Sequence, residues 1–259
     1  FGLVLYEMLT GRPALPERSI LETLLLLHQQ AGARGGARGQ REDLARDHAE
    51  LDPDLVRGAL GLPALPTAHR PATDLAGRPP ALCKGCPHTD SFKALNEALS
   101  GFDNPQVFSD IGCYTLAALP PLEAVHSCVA MGASIGRAAG AAHAGHAPAV
   151  AAIGDSTFSH GGITPLLSAV QQHVNLNVLV LDNSTVGMTG TQRSMSTGET
   201  LDQIILGTGI AEEHFRIIEP TPKNHEQNVA VIRDELAYDG PSVIVARRAC
   251  LEALKGRAE

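Results

Sequence analysis

Two apolar runs in this chain end in residues that can do chemistry. Ala149–Ile153 breaks at Gly154-Asp155-Ser156, and Asn177–Leu181 breaks at Asp182-Asn183. Asp155 and Asn183 stand 28 positions apart with a helix-length segment between them. That layout sets a carboxylate and an amide oxygen at the carboxyl ends of neighbouring parallel strands, where α/β folds take phosphorylated ligands. A hard cation such as Mg2+ binds through one or two such protein oxygens together with phosphate oxygens. The main-chain carbonyl of Thr185, in the turn after Asn183, completes a candidate ligand set. Gly161-Gly162 is expected to open the following helix, whose free N–H groups and positive end suit a phosphate. Taken alone, Gly-Asp-Ser and Asp-Asn are also common strand-end turns.

The cysteines form a second constellation. Cys83-Lys84-Gly85-Cys86 has the spacing that clamps zinc, holds an iron–sulfur cluster or works as a redox pair. Cys113 follows in Asp110-Ile111-Gly112-Cys113, and Cys250 ends the final strand in GPSVIVARRAC. Cys128 fits no motif and is expected on a buried helix face.

These residues need elements to hold them. Helices are expected over Asp90–Leu99, Cys128–Ala144, Gly162–His173, Leu201–Leu206 and Lys223–Ala237. Strands are expected over Gln106–Ser109, Ala149–Ile153, Asn177–Leu181, Phe215–Ile218 and Ser242–Ala246. Alternation of the two predicts an α/β fold, a mostly parallel sheet with helices on both faces. Upstream, residues 1–45 are unassigned: Ile20–Gln30 reads as a helix and Gly32–Gln40 as linker. FGLVLYEMLTGRPALP resembles a helix of protein kinases, but no glycine-rich loop, HRD or DFG occurs in the chain. Residues 46–80 read as a connector with a short helix at Asp54–Leu60, and 81–259 as the functional domain.

The 259 residues are 44% hydrophobic and 3% aromatic, so an aliphatic core is expected. A net charge of −8 argues against a nucleic-acid binder. No run approaches the roughly 18 apolar residues of a membrane span, and Phe1–Leu9 does not read as a signal peptide. A cytoplasmic chain is expected, and the start at Phe1 suggests a fragment or processed product.

AAIGDSTFSHGG followed by VLVLDNSTVGMTGTQ resembles the diphosphate-binding half of thiamine-diphosphate enzymes. With DIGCYTLAALPPL and MGASIGRAAG, it is similar to the indolepyruvate branch of the 2-oxoacid:ferredoxin oxidoreductases, specifically the thiamine-binding part of the large subunit. The resemblance covers about Ala81–Leu251. It implies a Rossmann-like module binding the cofactor diphosphate, with Asp155, Asn183 and the Thr185 carbonyl on Mg2+. Gly112, Met131, Gly132, Gly154, Ser156, Thr157, Met188, Thr189 and Gly190 would line the thiamine diphosphate. Ser156 departs from the glycine usual in the signature. Cys83, Cys86, Cys113 and Cys250 match the four cysteines that hold a [4Fe–4S] cluster in the family. Lys84, a departure within that loop, adds a positive charge that would raise the cluster's potential. His88 and His160 are candidate catalytic residues. His88 would reach the substrate or thiazolium, or cap a helix. His160 would touch diphosphate or substrate, or lie on the surface. His126 and His143 are left structural.

The implied activity is oxidative decarboxylation of an aryl 2-oxoacid to acyl-CoA, with electrons passing through the cluster to ferredoxin. The implied partners are the 2-oxoacid, coenzyme A, ferredoxin and a second subunit or further domains, in an oligomer. No pyrimidine-binding domain with its glutamate is found, and no ferredoxin-like cysteine run follows Cys250. The isolated chain is therefore expected to bind cofactor weakly and turn over nothing. The alternatives are a non-oxidative thiamine-dependent decarboxylase or synthase, which needs no cysteines, and a silent fragment acting only in assembly.

Overall fold

The computed structural model describes Pro63 and residues 80–255. The expectations for residues 1–45 and for a helix at Asp54–Leu60 lie outside the described residues.

Strands β1 (Gln106–Ser109), β2 (Ser127–Cys128), β3 (Ala149–Gly154), β4 (Asn177–Asp182), β7 (Phe215–Ile218) and β8 (Ser242–Arg247) form one sheet in the order β2-β1-β3-β4-β8-β7. Every neighbouring pair in it is parallel. Strands β5 (Thr185–Val186) and β6 (Gln192–Arg193) pair only with each other, antiparallel. All residues of β3 and β4 are buried, which is why both read as unbroken apolar runs and not as alternation.

Period-2 geometry divides those runs between two cores. Val150, Ala152, Leu179 and Leu181 face helices α1 (Pro87–Leu99) and α5 (His225–Leu236), packing with Phe92, Leu95, Val229 and Ile232. Ala149, Ala151, Ile153, Val178 and Val180 face the other side, against helices α2 (Ser134–His143), α3 (Ile163–Gln171) and α4 (Glu199–Leu206). A short helix α6 (Leu251–Lys255) follows β8. Among the described residues, no helix is long and apolar enough to cross a membrane.

The structure corrects three expected elements. The segment expected as one helix over Cys128–Ala144 begins with β2, turns at Gly132 (φ +86°) and becomes helical only at Ser134. The reason is tertiary. The buried Asp110 carboxylate accepts from Ser134 N (2.9 Å) and Ser134 Oγ (2.5 Å), which fixes where α2 starts. Cys128 accordingly lies on a strand, half-buried, and not on a helix face.

Gly161-Gly162 does not open a helix either. The backbone is already helical from Asp155, through the turn Asp155–Thr157 and a π-helical turn at Phe158–Gly162, into α3. A Cβ on Gly162 would sit 2.7 Å from the Phe158 ring, and one on Gly132 would sit 3.1 Å from Gly161 Cα. These glycines serve close packing. The N-terminal end of the helical stretch is therefore the turn that begins at Gly154-Asp155-Ser156.

The last strand also differs at its end. It stops at Arg247, and Cys250 lies in the connection to α6, its N–H donating to the Asn183 carbonyl (3.1 Å).

Candidate functional site

The order of strand addition reverses between β1 and β3, since β2 lies on one side of β1 and β3 on the other. Loops leaving such neighbours part and open a crevice at the carboxyl end of the sheet. A cleft lies there. Ile111–Tyr114 enter it after β1, Met131 after β2, Gly154–Thr157 at the end of β3, and Asn183 and Thr185–Thr189 after β4. His88, from the first turn of α1, closes its floor.

Asp155 is 2% exposed, and its Oδ2 is buried without a hydrogen-bond partner. Its Oδ1 accepts from Ser156 N at 2.6 Å. Burial pushes this carboxyl up to about 7 against the Ser156 N–H, and the nearby Asp182 charge adds to the rise. Asn183 accepts from Thr185 N through Oδ1 (3.1 Å) and offers Nδ2 to Nε2 of His88 (3.2 Å). Burial holds His88 down to about 4, so the ring is neutral and free to accept.

Tyr114 is wedged between Gly112 and Gly154: a Cβ on either would meet its ring at 2.3 Å or 2.7 Å. Its Oη lies 3.3 Å from both Thr157 Oγ1 and the Ile111 carbonyl. Its ring also meets His88 edge-on at 6.0 Å.

Of the cysteines, Cys113 lines this cleft. Cys86 N donates to the Cys83 carbonyl in the turn before α1 (3.0 Å). Burial pushes the Cys86 thiol up to about 11, offset in part by the His88 and Thr89 N–H groups, and the Cys83 and Cys113 charges raise it further. Cys113 is raised by burial and then by the charges of Cys250 and Cys83. Cys113 is thus the thiol that interacts with each of the other three. Among the described residues, no group of three or more His, Cys, Asp or Glu is gathered as a ligand set for a single metal ion.

Behind Asn183, Asp182 is 1% exposed and takes Arg247 Nε at 2.7 Å, Thr197 Oγ1 at 2.5 Å and Gly198 N at 3.1 Å. Burial would raise this carboxyl, but Thr197, Arg247 and Gly198 outweigh burial and hold it below the usual carboxylate range.

Of the residues singled out by sequence, His88, Gly112, Met131, Gly154, Asp155, Ser156, Thr157, Asn183, Thr185, Met188 and Thr189 line the cleft, and so does Cys113. Gly132, Gly190 and His160 do not. Gly132 packs on Gly161, Gly190 closes the β5–β6 turn at φ +114°, and His160 is exposed on the π-helical turn. Sequence reasoning missed Tyr114 and the Asp182–Arg247 pair. Tyr114 stands beside Cys113, yet nothing marks a lone tyrosine as a wedge. The Asp182–Arg247 pair is separated by 65 positions.

A parallel α/β domain with a buried acidic turn, an amide and a glycine-lined cleft at its carboxyl edge belongs to the class of α/β folds that take ligands at a topological switch point. The profile of the family described as thiamine pyrophosphate enzyme, C-terminal TPP binding domain, matches residues 110–246, and the chain belongs to that family. It is similar to the indolepyruvate oxidoreductase subunit IorA of Archaeoglobus fulgidus, 41% identical over 183 residues, which cover 67% of this chain and 29% of that protein. The IorA of Methanothermobacter marburgensis is 32% identical over 256 residues, 92% of this chain and 41% of that protein. The chain thus spans well under half the length of these curated relatives. Its fold is that of a solved 2-oxoglutarate:ferredoxin oxidoreductase from Magnetococcus marinus, crystallised with 2-oxoglutarate, coenzyme A and succinyl-CoA bound (TM-score 0.54, 19% identity, 70% of each chain).

Proposed function

We propose that residues 81–259 form the magnesium–thiamine diphosphate part of an indolepyruvate-type 2-oxoacid:ferredoxin oxidoreductase. It would work in a cytoplasmic oligomer whose other domains or subunit supply the pyrimidine site. The observation that carries this reading is the position of Cys113. It lines the same cleft as Asp155 and Asn183 and interacts electrostatically with Cys83, Cys86 and Cys250. A non-oxidative thiamine enzyme has no use for four cysteines beside its cofactor.

The residues of the cleft fit a cation and a diphosphate. The unpartnered, buried Oδ2 of Asp155 is an anionic oxygen that lacks a cation. Asp155, Asn183 and the Thr185 carbonyl would hold Mg2+, and the N–H groups of the turn at Gly154–Thr157 would receive the diphosphate. Gly112, Met131, Met188 and Thr189 would flank the cofactor, with Gly132 and Gly190 shaping the backbone behind them. Cys113 feels the charges of Cys83 and Cys250, and Cys86 those of Cys83 and Cys113, so these four thiols would be the ligands of the iron–sulfur cluster. When bound, thiamine diphosphate would supply the electron sink for decarboxylating an aryl 2-oxoacid, and the cluster would supply one-electron acceptance toward ferredoxin, with coenzyme A taking the acyl group.

The chain's own part is orientation. His88, neutral and buried, accepts from Asn183 and so turns the amide oxygen toward the cation side. Tyr114 fixes the Gly112 and Gly154 turns against each other. His160, exposed on its turn, is offered as a contact to substrate or to the completing domain.

The test is anaerobic purification, with iron and acid-labile sulfide analysis and calorimetric titration with Mg2+ and thiamine diphosphate. About four irons per chain and saturable binding support the reading. Binding without iron after anaerobic reconstitution leaves a non-oxidative thiamine module. Neither leaves a silent fragment.

A further inference from the structure

We propose that Asp182 and Arg247 are positioning residues that clamp the loop between β4 and α4, and that hold the Cys250 segment in register with it. The inference rests on the cofactor reading above, because that loop carries Thr185, Met188 and Thr189.

The Asp155 turn also touches the loop, where the Ser159 and Ser196 hydroxyls share a hydrogen bond and Asp155 accepts from Ser184 and Ser194. The loop's regular structure is the ribbon β5–β6, which pairs with itself and not with the six-stranded sheet. Both of its ends instead meet one buried carboxylate. At the start, Ser184 N donates to Asp182 Oδ1 at 3.2 Å. At the end, Thr197 Oγ1 donates to the same oxygen at 2.5 Å, and Gly198 N donates to Oδ2 at 3.1 Å. The hydroxyls of Ser184 and Thr197 close the ring at 2.9 Å.

Arg247 sits opposite Asp182 in the β4–β8 ladder. Its Nε donates to Asp182 Oδ2 (2.7 Å), Nη1 donates to Asp202 Oδ2 (3.1 Å), and Nη2 donates to the Gly198 carbonyl (3.3 Å) and the other Asp202 oxygen. One planar fork therefore grips the loop's anchor, its far end and the first turn of α4, a task that suits guanidinium and not ammonium.

The same end of β8 reaches toward the cysteines. Arg248 N donates to the Asp182 carbonyl (3.0 Å) and Cys250 N to the Asn183 carbonyl (3.1 Å), so the ladder runs past the strand end. Movement of Asp182 would displace Asn183, the ribbon and Cys250 together. The sheet itself does not need the pair, since five further register positions already join β4 to β8.

The experiment uses the whole chain and the variants Arg247→Met, Arg247→Lys and Thr197→Val. Hydrogen exchange is read by mass spectrometry without cofactor, and thiamine diphosphate with Mg2+ is titrated by calorimetry. In Arg247→Met, peptides over 184–198 should exchange at least tenfold faster, while those of Ala149–Gly154 and His225–Leu236 keep wild-type protection. The cofactor Kd should rise tenfold or more, and Arg247→Lys should restore less than half of that loss. Thr197→Val removes one donor without touching the ion pair and should loosen the same peptides to a smaller degree. It serves if Arg247→Met does not fold.

Uniformly faster exchange in step with a lower Tm, an unchanged loop, or a loosened loop with wild-type Kd would each overturn the clamp. A wild-type chain that binds no cofactor, even with its completing domains, overturns the parent reading, and the loop exchange then stands as a separate result.

Discussion

Nδ2 of Asn183 donates to Nε2 of His88 at 3.2 Å, joining residues that lie 95 positions apart in sequence. His88 is 3% exposed and kept neutral by burial, and in the tautomer with its proton on Nδ1 its Nε2 accepts from the amide. Asn183 is thereby oriented from both sides, since its Oδ1 accepts from Thr185 N.

This relationship predicts the effect of His88→Leu, which keeps bulk and removes the acceptor. A net hydrogen bond of about 0.5–1.5 kcal/mol corresponds to a Kd for magnesium–thiamine diphosphate raised roughly three- to tenfold. Calorimetric titration checks it. A lower Tm with unchanged Kd would reduce His88 to packing.

Asp155 gives a prediction of opposite signs for stability and binding. Its Oδ2 is buried and without a hydrogen-bond partner, an arrangement that disfavours the ionised carboxylate and so costs stability. Asp155→Asn removes the charge and keeps the shape. The variant should unfold about 1–3 kcal/mol later in urea than the cofactor-free wild type at pH 8. It should also show no measurable Mg2+-dependent thiamine diphosphate binding. A destabilised variant would mean that the carboxylate is satisfied by a partner other than a bound cation.

How much of this was legible in sequence depends on how local the cause was. β3 and β4 were placed within a residue, because a strand buried on both faces is apolar at every position. β1 and β7 matched their expected bounds. The start of α2 was not legible, since it is set by Asp110, 24 residues away. The ribbon β5–β6 has two residues per strand, too few for any periodicity. Gly161-Gly162 was misread because glycine marks both a turn and a close contact, and only the Gly132 backbone opposite decides which.

That contact yields a paired prediction. Gly132→Ala would place a Cβ at φ +86° and 3.1 Å from Gly161 Cα. It should destabilise by roughly 1–3 kcal/mol. Gly136→Ala, on exposed helix α2 with open space around it, should instead stabilise by up to about 1 kcal/mol. Urea unfolding of the two variants measures both signs on one transition.

The cysteines separate by position in a way that serine substitution can read. Cys113 lines the cofactor cleft, interacts with Cys83 and Cys250, and stands where a Cβ on Gly187 would lie 3.3 Å from its sulfur. Cys128 is placed differently: burial raises its thiol, and its other neighbours are Thr115, Asp110 and Arg137, with no cysteine among them. Cys128→Ser should therefore keep wild-type iron content and the reduced-state electron paramagnetic resonance signal after anaerobic reconstitution. Cys113→Ser and Cys250→Ser should each lose that signal and most of the iron, because a four-thiolate centre loses a ligand that no nearby side chain replaces. Cys113→Ser should do so with a cofactor Kd within about threefold of wild type, well under the 1.4 kcal/mol that a tenfold change represents, since serine keeps the cleft wall in place. Equal iron loss in Cys128→Ser would move the centre toward β2 and take Cys113 out of its coordination.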